Sequence, residues 1–150
     1  MVAAMGKNHK IQSAELPLLV TAAVILDGEK VLITRRPENK SHAGLWEFPG
    51  GKVDPGESPE EALCREMREE LDVDVQVTGI FEVAFYRYDW GPVLILAYHC
   101  RLLANDLRDI GVAEHRWVHP RDLSGFSILA ADQPIINRLN NLPSPPAHLP

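Results

Sequence analysis

The chain has 150 residues, 45% hydrophobic and 24% charged, with a formal net charge of −6, the composition of one globular domain large enough to bury a core without a metal or disulfide. Two cysteines, Cys64 and Cys100, exclude a disulfide scaffold and a zinc cluster, and the acidic balance excludes an electrostatic grip on long nucleic acid. The longest apolar stretch, 11 residues from Leu16 to Leu26, falls short of the ~20 that cross a membrane, and the first ten residues lack a signal's apolar centre, so a cytoplasmic location is expected.

Residues 1–15 are aperiodic and 143–150 are proline-rich, so both read as flexible tails around a domain at 16–142. Leu18–Leu26 and Lys30–Arg36 are β-branched runs on either side of Asp27-Gly28-Glu29, the pattern of a hairpin. A polar loop over Pro37–Gly44 precedes a short strand, Leu45–Phe48, which Pro49-Gly50-Gly51 ends as a turn. Asp54-Pro55-Gly56 makes a second turn. Ser58-Pro59-Glu60-Glu61 then combines a Ser N-cap, Pro at the first helical position, Glu at the third and acids at the positive helix end. A helix should run from Pro59 to about Leu71.

Val73–Tyr88 and Val93–Leu103 read as antiparallel strands joined at Asp89-Trp90-Gly91-Pro92. His115–His119 resembles one more strand, and Pro134–Leu142 a closing helix. Few helices among many strands predict an α+β fold with a mixed sheet in a sandwich.

The acidity is local. Between Asp54 and Asp74 nine acids face two bases, Arg65 and Arg68, a net of −7 that leaves the other 129 residues at +1. On the helix, Glu66, Glu69 and Glu70 fall at i, i+3 and i+4 on one face, while Leu63, Met67 and Leu71 form an adjoining apolar stripe. Like charges at this spacing repel. Three clustered carboxylates supply the hard oxygen donors that Mg2+ takes while sharing a substrate's phosphates; three glutamates by themselves also describe an ordinary solvated face. Glu57 lies just before the N-cap, and Arg65 has the fork geometry to hold a carboxylate.

From Gly51 to Val73 the chain reads GKVDPGESPEEALCREMREELDV. This resembles the Nudix box: Gly, five residues, Glu, seven residues, Arg-Glu, an aliphatic, any residue, Glu-Glu, any residue, Gly, an aliphatic. Those positions are Gly51, Glu57, Arg65, Glu66, Met67, Glu69, Glu70 and Val73, with Asp72 where the family has its helix-capping Gly. Asp tolerates the left-handed conformation needed there. Leu45–Lys52 and Trp117-Val118 also resemble the MutT-type branch.

The resemblance implies a Nudix fold, a mixed sheet between helices, and Mg2+- or Mn2+-dependent cleavage of a nucleoside triphosphate into monophosphate and pyrophosphate. It makes Glu66, Glu69, Glu70, Glu57 and the Gly50 carbonyl the metal ligands. Lys52 would neutralise phosphate and Arg65 would orient the glutamates. Glu66 is the first choice for proton transfer. The family also draws a base from the loop that is Asn105–His115 here, where the expected glutamate is replaced by Gly111 and Asp109 or Glu114 stand nearby.

For the substrate, Arg36 and Phe48 are candidate contacts, equally explained as a strand end and a core ring. Asp132 stands where members specific for 8-oxoguanine place Asn. It is a base-reading candidate or the N-cap of the last helix. An 8-oxo-dGTP diphosphatase would need Asp132 protonated, whereas a pyrophosphohydrolase of CTP or 5-methyl-dCTP suits an ionised, accepting Asp132. A non-catalytic nucleotide-sensing domain would be free to lose the glutamates that this chain keeps. Expected partners are a small nucleotide and no membrane, in a monomer or homodimer.

Overall fold

A computed structural model describes residues 16–143; the tails expected at 1–15 and 143–150 lie outside the described residues, Pro143 excepted. In chain order the elements are β1 (Leu18–Asp27), β2 (Lys30–Arg35), β3 (Trp46–Glu47), β4 (Gly50–Lys52), α1 (Pro59–Leu71), β5 (Val75–Tyr88), β6 (Gly91–Leu102), β7 (Glu114–Val118) and α2 (Gln133–Asn140), with short 3₁₀ turns at Pro120–Gly125 and Ala130–Asp132. The sheet runs β3-β2-β1-β6-β5, with β4 also paired to β1 and β7 to β2. β1 and β6 are parallel and the other pairs antiparallel, so the sheet is mixed, as expected.

Period-two alternation divides the core. On β1, Ala22 and Val24 join the layer closed by Ile135 and Leu139 of α2, while Ala23 and Ile25 join the layer of Leu63, Met67 and Leu71 of α1. Both faces of β1 are buried because a helix covers each side, which is why its sequence is continuously apolar. All three α1 stripe residues are fully buried.

The α1 boundaries match the sequence signals. Ser58 Oγ accepts the Glu61 N–H at 3.1 Å, Pro59 opens the helix, and Asp72 caps it in the left-handed conformation (φ 51°, ψ 45°), donating its N–H to Arg68. One expectation is corrected. Pro49-Gly50-Gly51 does not end in a plain turn: Gly50–Lys52 forms β4, because the edge of β1 pairs Val20, Thr21 and Ala22 with Lys52, Gly51 and Gly50. Among the described residues no helix is long and apolar enough to cross a membrane.

Candidate active site

Helix α1 carries the acids to the β4 edge, but it does not present them equally. The Glu66 side chain is 15% exposed and that of Glu69 59%, whereas Glu70 is buried at 5%. Glu66 and Glu70 turn toward the sheet, and Glu69 stays at the rim. At 100° per residue, the side of α1 that carries the three acids straddles the boundary between core and solvent.

Arg65 organises the outer acids. Its Nε donates to Glu57 at 2.7 Å and its Nη1 to Glu66 at 3.0 Å and Glu69 at 3.2 Å. Nη2 reaches Glu57 at 2.9 Å and the Lys52 carbonyl at 3.0 Å. One guanidinium thus joins the segment before α1, two turns of the helix and β4. The same bond holds the Glu57 carboxyl below its ordinary range.

Two glycines bring the main chain against these acids. Gly50 has φ 151°, and a Cβ there would collide with the Thr21 carbonyl; a Cβ on Gly51 would enter the space of the Glu66 carboxyl. Gly50 N–H also donates to Glu70 Oε2 at 3.3 Å. Burial raises Glu66 above the ordinary carboxylate range, against the lowering effect of Arg65. It pushes Glu70 up to about 8, with Glu47 and Glu66 adding to the shift. The inner carboxylates are short of positive charge.

Sequence reasoning missed Glu47. Trp46 of β3 and Phe48 just after it enter the core layer on the α2 side, which turns Glu47 between them away from that layer. There it raises the Glu70 pKa and is itself raised by burial. Arg36 Nη1 grips both Glu47 oxygens, at 2.9 and 3.1 Å. Lys40 was also missed; its charge acts on Glu47, Glu66 and Glu70. No local pattern marks either residue, because the loop and strand that bring them in are joined only by tertiary pairing.

A cavity of about 480 Å³ opens beside Gly50 and Gly51 and is lined by Arg36, Phe48, Lys52 and Asp132 among others. All four substrate candidates therefore border one space. Phe48 is 3% exposed and serves both core and cavity. Asp132 occupies the N-cap position of α2 but makes no side-chain cap bond. Its carboxyl instead accepts the Phe48 N–H at 3.2 Å, and burial pushes its pKa to about 8.

The loop before β7 folds over the end of α1: Ile110 and Gly111 N–H donate to the Glu70 carbonyl at 3.1 and 3.0 Å. A Cβ on Gly111 would lie 3.2 Å from the Glu69 carbonyl oxygen and from the Glu70 Cα, so a glutamate there, as in the family pattern, would press on the end of α1 and shift it by a few tenths of an ångström. Asp109 pairs with His115. Glu114 is held by Arg35 at 3.0 Å and Arg116 at 3.4 Å, below its ordinary pKa.

The donor set suits a hard divalent cation: carboxylates and main-chain carbonyls, with a buried Glu70 whose raised pKa a cation would reverse. As they stand, no three acidic or histidine side chains among the described residues converge on one point, because Arg65 holds Glu57, Glu66 and Glu69 around its own guanidinium.

A family model described as the NUDIX domain matches residues 17–139. The chain is 36% identical over 121 residues to a CTP pyrophosphohydrolase of Escherichia coli K12, covering 78% of this chain and 87% of that protein. It is 31% identical over 129 residues to an 8-oxo-dGTP diphosphatase of Haemophilus influenzae, covering 83% and 93%. The solution structure of the E. coli ORF135 protein superposes with a TM-score of 0.75 at 30% identity, over 89% of this chain and 96% of the other.

Proposed function

The chain belongs to the Nudix family and is a hydrolase of phosphoric anhydride bonds, and from that premise we propose that it cleaves an oxidised or otherwise modified nucleoside triphosphate, such as 8-oxo-dGTP, to the monophosphate and pyrophosphate. The observation that carries the reading is spatial: Gly50 and Gly51 lie between the carboxylates of α1 and a cavity of about 480 Å³ with a largely apolar wall. A phosphate chain belongs at the carboxylate end, and a base at the Phe48 end.

Mg2+ or Mn2+, held by Glu66, Glu69, Glu70, the Gly50 carbonyl and Glu57, would polarise phosphoryl oxygens and lower the pKa of a bound water. Glu66, whose carboxyl lies against Gly51 and accepts from Arg65 Nη1 at 3.0 Å, would take the water's proton. Arg65 keeps Glu57, Glu66 and Glu69 in register, and Lys52, at the end of β4, neutralises phosphate.

Asp132 bears on the base. With its pKa near 8, its carboxyl carries a proton at neutral pH and both donates and accepts, as an oxidised guanine requires. The CTP reading, favoured by the name of one relative, suits the ionised form instead. The test is pyrophosphate release from a panel of 8-oxo-dGTP, CTP and 5-methyl-dCTP, with and without Mg2+. Release from none of them would refute the proposal, and preferred release from CTP would replace it by the second reading.

A further inference from the structure

We propose that the open end of the sheet's α1-side face, on β5 and β6, is a self-association surface on which a second copy of this chain packs face to face about a two-fold axis, with Arg87 of each copy against Glu60 of the other. The inference is independent of the nucleotide reading above.

Strand pairing fixes which residues share this face. Ile80, Val83 and Phe85 of β5 stand opposite Tyr98, Leu96 and Leu94 of β6, and Leu94 stands beside Leu19 of β1, so all of them point to the side of the sheet on which α1 lies. Helix α1 covers only part of that side. Tyr98 is buried in the layer of Leu63, Met67 and Leu71, whereas Ile80, Val83 and Phe85, running toward the hairpin tip, are 56%, 50% and 56% exposed. Leu94 and Leu96 are half-buried beside them. Single exposed apolar residues are ordinary, but a contiguous strip of them marks an association site.

β5 is also the edge strand of the sheet, yet its edge is a poor template for adding another strand. Register shifts break it between Val77 and Gly79 and between Ile80 and Glu82, and Glu82 Oε1 accepts the Val83 N–H at 2.9 Å. Bulges and charged side chains are devices that blunt an edge. A partner must therefore meet the face.

The charges at the two ends of the strip choose that partner. At the Ile80 end, the exposed Glu60 of α1 lies near the Tyr98 hydroxyl, which burial and then Glu60 raise above its ordinary range. At the hairpin end, the Arg87 guanidinium lies 5.8 Å from the centroid of the Phe85 ring. Neither Glu60 nor Arg87 has an ion-pair partner among the described residues. A two-fold axis lying between two facing strips and running across their strands exchanges their ends, so each Arg87 comes to the other copy's Glu60 while the apolar strip meets itself. An apolar centre with an acid at one end and a base at the other is complementary to its own copy.

The test is sedimentation velocity of the full chain over a concentration series. A dimer is expected with a Kd of about 10–100 µM, ordinary for a small interface. Phe85→Glu places an unpaired carboxylate in the strip and should raise Kd about a hundredfold; Val83→Lys serves as the second variant if Phe85→Glu does not melt like wild type. Arg87→Glu and Glu60→Arg should each raise Kd about tenfold, and the double variant should return it to within about threefold of wild type. A chain that stays monomeric up to about 0.5 mM overturns the proposal and leaves the strip to residues 1–15 or to a foreign protein. A dimer unmoved by Phe85→Glu and Val83→Lys overturns it too, being built on another face, and a charge exchange that restores nothing overturns the two-fold arrangement.

Discussion

The carboxyl of Asp132 accepts the main-chain N–H of Phe48 at 3.2 Å across 84 residues of sequence, tying the start of α2 to the wall of the cavity. An N-cap acid would have bonded its own helix. Here the side chain is drawn inward, buried, and made a much weaker acid than a surface aspartate.

That shift gives the base preference a pH signature. Below about 8 Asp132 is neutral and donates, and above it the carboxylate only accepts. KM for 8-oxo-dGTP is therefore expected to rise several-fold between pH 7 and 9, while in Asp132→Asn it stays flat because the amide does not titrate. Matching pH profiles in wild type and variant would remove Asp132 from base reading.

The buried acids also fix the sign of the stability profile without metal. Glu70 and Asp132 have folded pKa values raised to about 8, so their contribution is fully present below the unfolded values near 4 and lost as pH rises through 8. Glu57 and Glu114, lowered by Arg65 and Arg35, act oppositely and lose their contribution only as pH falls through their depressed values. Thermal melts without metal should show Tm falling from pH 6 to 9. Glu70→Gln should flatten that fall and stabilise the metal-free protein at pH 8 by about 1–3 kcal/mol. A Tm that climbs toward pH 9 would contradict the burial argument.

Glu69 is the most exposed of the three helix acids, so its removal separates chemistry from folding. Glu69→Gln is expected to leave the melt within about 0.5 kcal/mol of wild type and to lower kcat by about a hundredfold, measured as pyrophosphate release. Wild-type turnover in this variant would strip Glu69 of a metal role.

Arg65 acts on the acids through a planar fork. Arg65→Lys offers one point charge and cannot reproduce that set of bonds. Mg2+ affinity, read by calorimetry, should drop on the order of 10–100-fold in Arg65→Lys as well as in Arg65→Ala. Full recovery by lysine would show that only charge matters.

Gly111 offers a test by restoration. Gly111→Glu supplies the family's missing acid, but its Cβ would press on the α1 backbone at 3.2 Å. The variant should lower Tm and bring no gain in kcat. Higher activity with an unchanged melt would mean that the loop yields and that the site lacks a base.

Much of this was legible in the chain because it is local. The start and stop of α1 lie in Ser58-Pro59 and Asp72, the apolar stripe in the spacing of Leu63, Met67 and Leu71, and the β1–β2 and β5–β6 hairpins in strand-forming runs whose partners follow closely. The Gly50–Lys52 strand escaped, since glycine-rich sequence reads as a turn until the β1 edge is there to pair with it.

The order of residues along the chain settled which chemistry the protein carries: a helix bearing acids at helical spacing, next to glycines that let the main chain approach. It did so because helix geometry and capping depend on neighbours within a few positions. Only tertiary packing decided that Glu70 is buried while Glu69 is not, that Arg36 grips Glu47, that Asp132 bonds to Phe48, and that Tyr88 and Trp90 border the same cavity as the glycines. Those outcomes depend on burial and on strand pairings between distant segments, and the pKa shifts of Glu70 and Asp132 follow from the loss of water that the packing imposes.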